Sequence, residues 1–436
     1  MSDWKKYYED HLVTMDKAAA AIVPGDKIMC GQTIAISYSF LNEINKREDL
    51  KDVTILYQCS TGMIDMAFDP KSKERFKMID FFASPIDRKS NQMGIVDFAA
   101  NPYSFMLRCF QDVYGCNTIV AEICPPDKNG RCNLGVLGIP TTGTYNASNQ
   151  VTKRIGIINK YNFPAPGDYD EVTVPITDFD FIVIDDHEPT AYPVSEPTPV
   201  DKEIAAYIIP YIHDGDSLQI GMGGLGEEIT KHLTGLKDIK IFTEIAGDSM
   251  VDRANDGSVV SLTACGAIGS SKIYKFLSED SRANMKPLSY MLDPQNIRQV
   301  ENIVGINQTL MIDLLGQACS EAQGVQMYSG VGGSFDFIYG INNAKGGRNF
   351  LCLRSTYTDK KGGVHSNIVP WLPEKSIVTT PKYLVMYVVT EYGVANVFLK
   401  SNRDRIKALI SIAHPDFRAE LKEQIISTGM ICEEDF

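Results

Sequence analysis

Gln219-Ile220-Gly221-Met222-Gly223-Gly224-Leu225-Gly226-Glu227-Glu228, followed by Ile239-Lys240-Ile241-Phe242-Thr243-Glu244, reads as a strand, a glycine turn, a helix and a second strand. The second strand delivers one carboxylate, Glu244, at its carboxyl end. In open α/β sheets ligands bind at that end of the strands. Three roles fit. Gly221-x-Gly223-x-x-Gly226 with an acid 18 residues beyond Gly226 has the spacing of a dinucleotide fingerprint, with Glu244 on a ribose. Alternatively, Glu244 is itself a nucleophile, and the glycines present backbone N–H groups to an anion. The bland role is capping of a helix that starts near Ala246 or Asp248.

The stretch has a copy. Gly25-Asp26-Lys27-Ile28-Met29-Cys30-Gly31 resembles Gly215-Asp216-Ser217-Leu218-Gln219-Ile220-Gly221, and Leu50-Lys51-Asp52-Val53-Thr54-Ile55 resembles Leu236-Lys237-Asp238-Ile239-Lys240-Ile241. The second block follows the Gly-Asp turn by 25 and 21 residues respectively. Two blocks in the same order predict two similar open α/β lobes related by internal duplication, with an active site at their junction. Laid over each other, the copies put Gln58 where Glu244 stands, so only the second carries an acid.

The rest of the chain agrees with an α/β class. Helix is expected over Ser39–Lys46, and strands over Lys27–Cys30, Val53–Gln58, Asn117–Cys124, Arg154–Asn159 and Phe179–Ile184. A polar passage containing Arg88-Lys89-Ser90-Asn91 lies between the second and third of these. Pro189, Pro193, Pro197 and Pro199 stop both helix and central strand, which places the lobes at 1–188 and 201–436 with a linker at 189–200. Thr198 and Pro199 suit the N-cap and first position of a helix whose Ile204, Tyr207, Ile208 and Tyr211 share one face, with a kink at Pro210. Further strands are expected at Ser258–Leu262, Asn302–Ile306 and Asn349–Leu353. Two helices close the chain around Ser401–Ala413 and Pro415–Ile425, with Arg403, Arg405 and Lys407 toward solvent.

With 436 residues and a net charge of −13, the chain is no general nucleic-acid binder. Apolar runs such as Tyr383-Leu384-Val385-Met386-Tyr387-Val388-Val389 are strand length and far short of a membrane span. The start, Met1-Ser2-Asp3-Trp4-Lys5-Lys6, lacks a signal-peptide core. Ten cysteines without a CxxC pair fit reduced core thiols, a cytoplasmic setting and no metal site. His187, His213 and His365 have no metal-ligand spacing, and His414 before Pro415 reads as a structural residue at a helix break.

The nucleophile reading gives work to a second glycine cluster, Ser329-Gly330-Val331-Gly332-Gly333-Ser334. A carboxylate attacking a thioester needs preorganised N–H donors for the oxyanion and a site closed to water. Four further blocks accompany it: Thr243-Glu244 with Asp248-Ser249-Met250-Val251-Asp252, Val388-Val389-Thr390-Glu391-Tyr392-Gly393, Ala408 to Arg418 around Ala413-His414-Pro415, and Pro125-Pro126-Asp127 with Gly130.

Together these motifs resemble the acetyl-CoA hydrolase/4-hydroxybutyrate CoA-transferase family, a branch of the class I CoA-transferases, along nearly the whole chain. The resemblance implies ping-pong transfer of coenzyme A between a short-chain acyl-CoA (acetyl, butyryl or 4-hydroxybutyryl type) and a carboxylate such as acetate. Glu244 matches the family glutamate, which would pass through an acyl-glutamyl anhydride and a glutamyl-CoA thioester. Gln219, Gly221, Met222, Gly223, Gly332 and Gly333 would surround the reacting centre and its oxyanion. Ser329, Gly330 and Val331, with Lys400 and Arg403, would meet coenzyme A, which is a substrate here; no permanent cofactor is expected. Arg88 is a candidate partner for a substrate carboxylate. The family is usually homodimeric. The chain departs from the family pattern at Gly224-Leu225-Gly226 and at Ser334. The alternatives are an acyl-CoA hydrolase using the same glutamate and, more distantly, an NAD-dependent oxidoreductase.

Overall fold

The computed structural model describes residues 4–138, 150–189 and 195–436. Residues 190–194 of the expected linker lie outside them. Where the segment resumes, Thr198 caps a helix as its sequence predicts. The Thr198 hydroxyl accepts from the Asp201 N–H at 3.3 Å, and the Asp201 carboxylate accepts from the Thr198 N–H at 2.9 Å. That helix, Pro199–Ile208, gives way at Pro210 to a short 3-10 turn. Ile204, Ala205 and Ile208 face inward, whereas Tyr207 of the expected apolar face is exposed.

The first sheet has seven strands: β1 (Lys27–Gln32), β2 (Val53–Gln58), β3 (Phe76–Asp80), β4 (Val96–Phe98), β5 (Thr118–Ile123), β6 (Lys153–Ile158) and β7 (Phe181–Ile184). Their order is β4-β3-β2-β1-β5-β6-β7, all parallel. The second sheet comprises β8 (Ser217–Ile220), β9 (Ile239–Ala246), β10 (Val259–Ala267), β11 (Ala283–Met285), β12 (Ile303–Gln308), β13 (Arg348–Cys352), β14 (Tyr387–Thr390) and β15 (Gly393–Asn396). Its order is β11-β10-β9-β8-β12-β13-β14-β15; the pairs from β9 through β14 are parallel and the β14–β15 hairpin is antiparallel. Each sheet reverses its winding beside its first strand, at β1/β5 and at β8/β12. Such switch points leave a crevice at the strand ends.

The duplication extends to individual hydrogen bonds. Lys27 pairs with Thr54 and Ser217 with Lys240, the same register in each copy. The Gly25 N–H donates to the Lys51 carbonyl at 3.0 Å, and the Gly215 N–H to Lys237 at 2.9 Å. Asp52 and Asp238 hold φ of 56° and 57°. Beneath each turn a buried aspartate pairs with a cation that opens the strand two places away. Asp26 meets Lys153 at 2.5 Å, and Asp216 meets Arg348 at 2.6 Å. This register sets Gln58 against Glu244.

The chain forms two compact units that are not contiguous in sequence. One takes Met1–Pro193, Glu244–Asp248 and Thr263–Met291; the other takes Val194–Thr243, Ser249–Leu262 and Leu292–Phe436. The first packs Phe40, Leu41, Ile55, Tyr57 and Met78 into its core, and the second packs Leu351, Val388, Ile406 and Leu409. Three expectations are corrected. The polar passage before Asn117 holds strand β3 and the helix Pro85–Gln92, capped by Ser84 and Asp87. Of the Tyr383–Val389 run only the end is strand, within Tyr387–Thr390. Arg405 does not face solvent: it is buried and donates to the carbonyls of Lys400, Leu315 and Lys382.

Candidate active site

Strand β8 ends at Ile220, and the turn Gly221–Gly223 leads into the helix Gly224–Lys231. Gly223 has φ 113° and ψ −179°, a backbone conformation essentially reserved for glycine. A Cβ on Gly226 would lie 2.2 Å from the Gly221 carbonyl oxygen, so the helix rests directly on the turn. The Gly221 N–H is spent in the sheet, donating to Ile306 O at 2.9 Å, and is no oxyanion donor. Among the described residues the Met222 and Gly223 amides donate to no protein acceptor. Met222 itself is held through its carbonyl, which accepts from Gln308 Nε2 at 3.2 Å across the switch point. Gln219 is buried and exchanges amide hydrogen bonds with Asn307.

A cavity of about 600 Å³ opens at this switch point, lined by Met222, Gln308, Ser329, Arg354 and Asn367 among others. It gathers residues from both predicted glycine clusters, Met222 and Leu225 from the first and Ser329 from the second. Gly332 has φ 59°, and Ser334 fastens the turn by donating to Val331 O at 2.7 Å. Lys400 and Arg403 are exposed and line none of the cavities described; Arg403 reaches Asp435 at 3.5 Å.

Glu244 is the sixth of eight residues in β9 and half-buried. The following helix begins at Asp248, so Glu244 is not in the N-cap position. Its surroundings in its own unit come from segments far apart in sequence. Its carbonyl accepts from Cys265 Sγ at 3.3 Å. Burial, then the Glu244 charge, pushes the Tyr103 phenol and the Cys265 thiol well above their ordinary range. Burial likewise raises Cys59, with Asp80, Asp87 and Glu244 adding to it and Arg88 opposing. Coulomb effects of this kind mark close neighbours. Glu244 therefore stands among groups that stay protonated and neutral.

Cys59 adopts φ 50° at the end of β2, and a carboxyl pair holds it there. Asp80 Oδ1 accepts from the Cys59 and Phe82 N–H groups at 3.1 and 3.0 Å. Asp87 accepts from the Tyr57 and Ser60 hydroxyls and from the Ser60 and Ser84 N–H groups. Asp80 is fully buried and its Oδ2 receives no donor. Burial, then the Asp87 charge, drives its pKa well above the ordinary carboxylate range, which favours the neutral acid. Sequence reasoning missed Cys59, Asp80, Asp87, Tyr103 and Cys265. The one usable signal was the match of Gln58 to Glu244, which brings its neighbour Cys59 to a strand end. His414 caps its helix by accepting from the Asp416 N–H at 3.3 Å. Among the described residues no group of three or more His, Cys, Asp or Glu could hold a metal ion.

Residues 1–193 match the acetyl-CoA hydrolase/transferase N-terminal domain, and residues 269–425 match its C-terminal domain. The chain belongs to the acetyl-CoA hydrolase/transferase family and is, with it, an enzyme of the CoA-transferase kind. It is 34% identical over 432 residues to the succinyl-CoA:cyclohexane-1-carboxylate CoA transferase of Geobacter metallireducens, covering 96% of each chain. It is 29% identical to the butyryl-CoA:acetate CoA-transferase of Anaerostipes caccae, again over 96% of each. The crystal structure of 4-hydroxybutyrate CoA-transferase from Porphyromonas gingivalis superposes with a TM-score of 0.76 at 25% identity, covering 98% of this chain and 100% of that one.

Proposed function

We propose that this enzyme moves coenzyme A between short-chain carboxylic acids, with Glu244 as covalent nucleophile. The observation that carries the reading is the lone half-buried carboxylate on β9, where the register of the other copy has neutral Gln58. The names of the relatives support coenzyme A as the group transferred. A Glu244 oxygen attacks the thioester carbonyl; the C–S bond breaks, the coenzyme leaves as thiolate, and an acyl-glutamyl anhydride remains. The thiolate then attacks the Glu244 carbonyl of that anhydride, the donor acid departs as carboxylate, and glutamyl-CoA remains. An acceptor carboxylate reverses the two steps. Amides at Met222, Gly223, Gly332 and Gly333 serve the oxyanions, with Gln219 and Gly221 as framework. Acetate, butyrate and 4-hydroxybutyrate are the acids of first choice, in a cytoplasmic homodimer that has no dealings with nucleic acid or membrane.

The family description also names hydrolases, in which water would take the place of the acceptor acid. One assay separates the two: release of free coenzyme A against its transfer to labelled acetate. Transfer that depends on acceptor, and is lost in Glu244→Gln with folding intact, is expected. Undiminished turnover in Glu244→Gln refutes the assignment.

A further inference from the structure

Among the described residues three tyrosines are buried: Tyr57, Tyr103 and Tyr274. A buried phenol ordinarily finds a hydrogen-bond partner, because burial strips its hydroxyl of water. Two of the three conform. The Tyr57 hydroxyl donates to Asp87 Oδ1 at 3.3 Å, and the Tyr274 hydroxyl to Gly269 O at 3.2 Å. Tyr103 is 4% exposed, yet its hydroxyl forms no hydrogen bond with any described residue. Its oxygen is also not one of the partnerless atoms sealed from solvent, so it borders open space. Such a group calls for an explanation.

The surroundings of Tyr103 say where that space lies. The residue opens a short 3-10 turn, Tyr103–Phe105, behind Pro102. Its ring packs edge-on against Phe82, with centroids 6.3 Å apart. The Phe82 N–H is held by Asp80 Oδ1, the oxygen that also accepts from the Cys59 N–H. Tyr103 and the strained Cys59 turn are thus tied to one buried carboxyl group, and backbone strain of this kind collects at functional sites. The charge that bears most on Tyr103 is that of Glu244, ahead of Cys59, Asp80 and Cys265. Cys265 in turn donates to Glu244 O at 3.3 Å. Tyr103 therefore offers a neutral, unengaged O–H beside Glu244. Phenylalanine would fill the same place, so packing does not require the oxygen.

We propose that Tyr103 is a further catalytic residue, whose hydroxyl donates a hydrogen bond to the carboxylate of the substrate acid as that acid leaves or joins the Glu244 carbonyl. When the thiolate attacks the anhydride, the C–O bond to the donor acid breaks and its electron pair stays on the acid's oxygen. The Tyr103 O–H bonds to that oxygen and keeps its own proton, so no proton changes hands. The same contact orients an incoming acceptor carboxylate for the reverse step. This rests on the function proposed above, and it adds the group that holds the acid.

The test is Tyr103→Phe, which removes one oxygen and keeps the ring against Phe82. Its urea midpoint should equal or exceed that of wild type, since no protein hydrogen bond is broken. Its kcat/KM for acetate and for butyrate should fall by about tenfold to a hundredfold, the scale of one hydrogen bond to a charged group. Unchanged transfer overturns the proposal, and so does a loss of activity that comes with an equal loss of stability. A second measurement needs no turnover. Calorimetry with butyrate compares Glu244→Gln, which removes the like charge, with the double variant Glu244→Gln, Tyr103→Phe. Weaker binding to the double variant is expected even if Glu244 is not the nucleophile. Equal binding to the two proteins overturns the role of Tyr103 whatever the fate of the covalent mechanism.

Discussion

Replacing Asp80 by Asn should be nearly silent at neutral pH, although Asp80 is among the most deeply buried ionisable residues. Its Oδ1 accepts two backbone N–H groups, from Cys59 and Phe82, and burial followed by the Asp87 charge favours its neutral form. Asparagine keeps the accepting oxygen and replaces O–H by N–H, so a cost within about 1 kcal/mol follows. Alanine strips the acceptor from two buried donors at about 1–3 kcal/mol each, roughly 4 kcal/mol together. The pH dependence gives the sign. The folded pKa of Asp80 is raised, so its contribution is fully present below the unfolded carboxyl value and is lost as pH rises through the folded one. Across that window one proton is worth about 1.4 kcal/mol per pH unit. Urea unfolding midpoints at several pH values should show Asp80→Asn gaining on wild type as pH rises. Transfer activity should survive in Asp80→Asn and fall in Asp80→Ala, because Cys59 adjoins Glu244. If Asp80→Asn costs as much as Asp80→Ala at pH 7, the reading of Asp80 as a neutral acid fails.

Further outcomes follow from paired charges. Asp216→Asn leaves Arg348 facing an uncharged partner where it had a 2.6 Å ion pair, and should lower stability by about 3 kcal/mol in chemical denaturation. Asp26→Asn should match it through Lys153; a cost in one copy alone would count against the duplicated role. His187, half-exposed, is raised from 6.5 to about 9 chiefly by its hydrogen bond with Glu122, with Nε2 and Oε2 3.4 Å apart. Its stabilisation is complete below the ordinary histidine value and is lost as pH rises through about 9. The stability difference between wild type and His187→Gln should therefore shrink across that window, and a difference that grows with pH would contradict the pairing.

The repeat was legible because Gly-Asp turns and β-branched strands are local, and the paired registers confirm the alignment residue by residue. The surroundings of Glu244 were not, because Cys59, Tyr103 and Cys265 reach it from segments more than 20 residues away in sequence. Strand β3 was hidden by its charged ends: Lys77 is exposed, while Asp80 is buried by a partner no local pattern foretells. Arg405 was misplaced for a similar reason. Charged residues on terminal helices normally face water, and the three carbonyls that receive this one come from separate loops. The resemblance sets Gly221 near the reacting centre, and the structure shows that its N–H belongs to the sheet. The glycine pattern located the turn but could not say which amide was already taken.

The covalent role of Glu244 can be read directly. The enzyme is incubated with an acyl-CoA, treated with borohydride, digested and examined by mass spectrometry, with free acid and no coenzyme as the control. The account predicts that the peptide containing Glu244 alone shows the mass loss of a carboxyl group reduced to an alcohol, and only in the acyl-CoA sample. An unmodified Glu244 in enzyme that is turning over would contradict it.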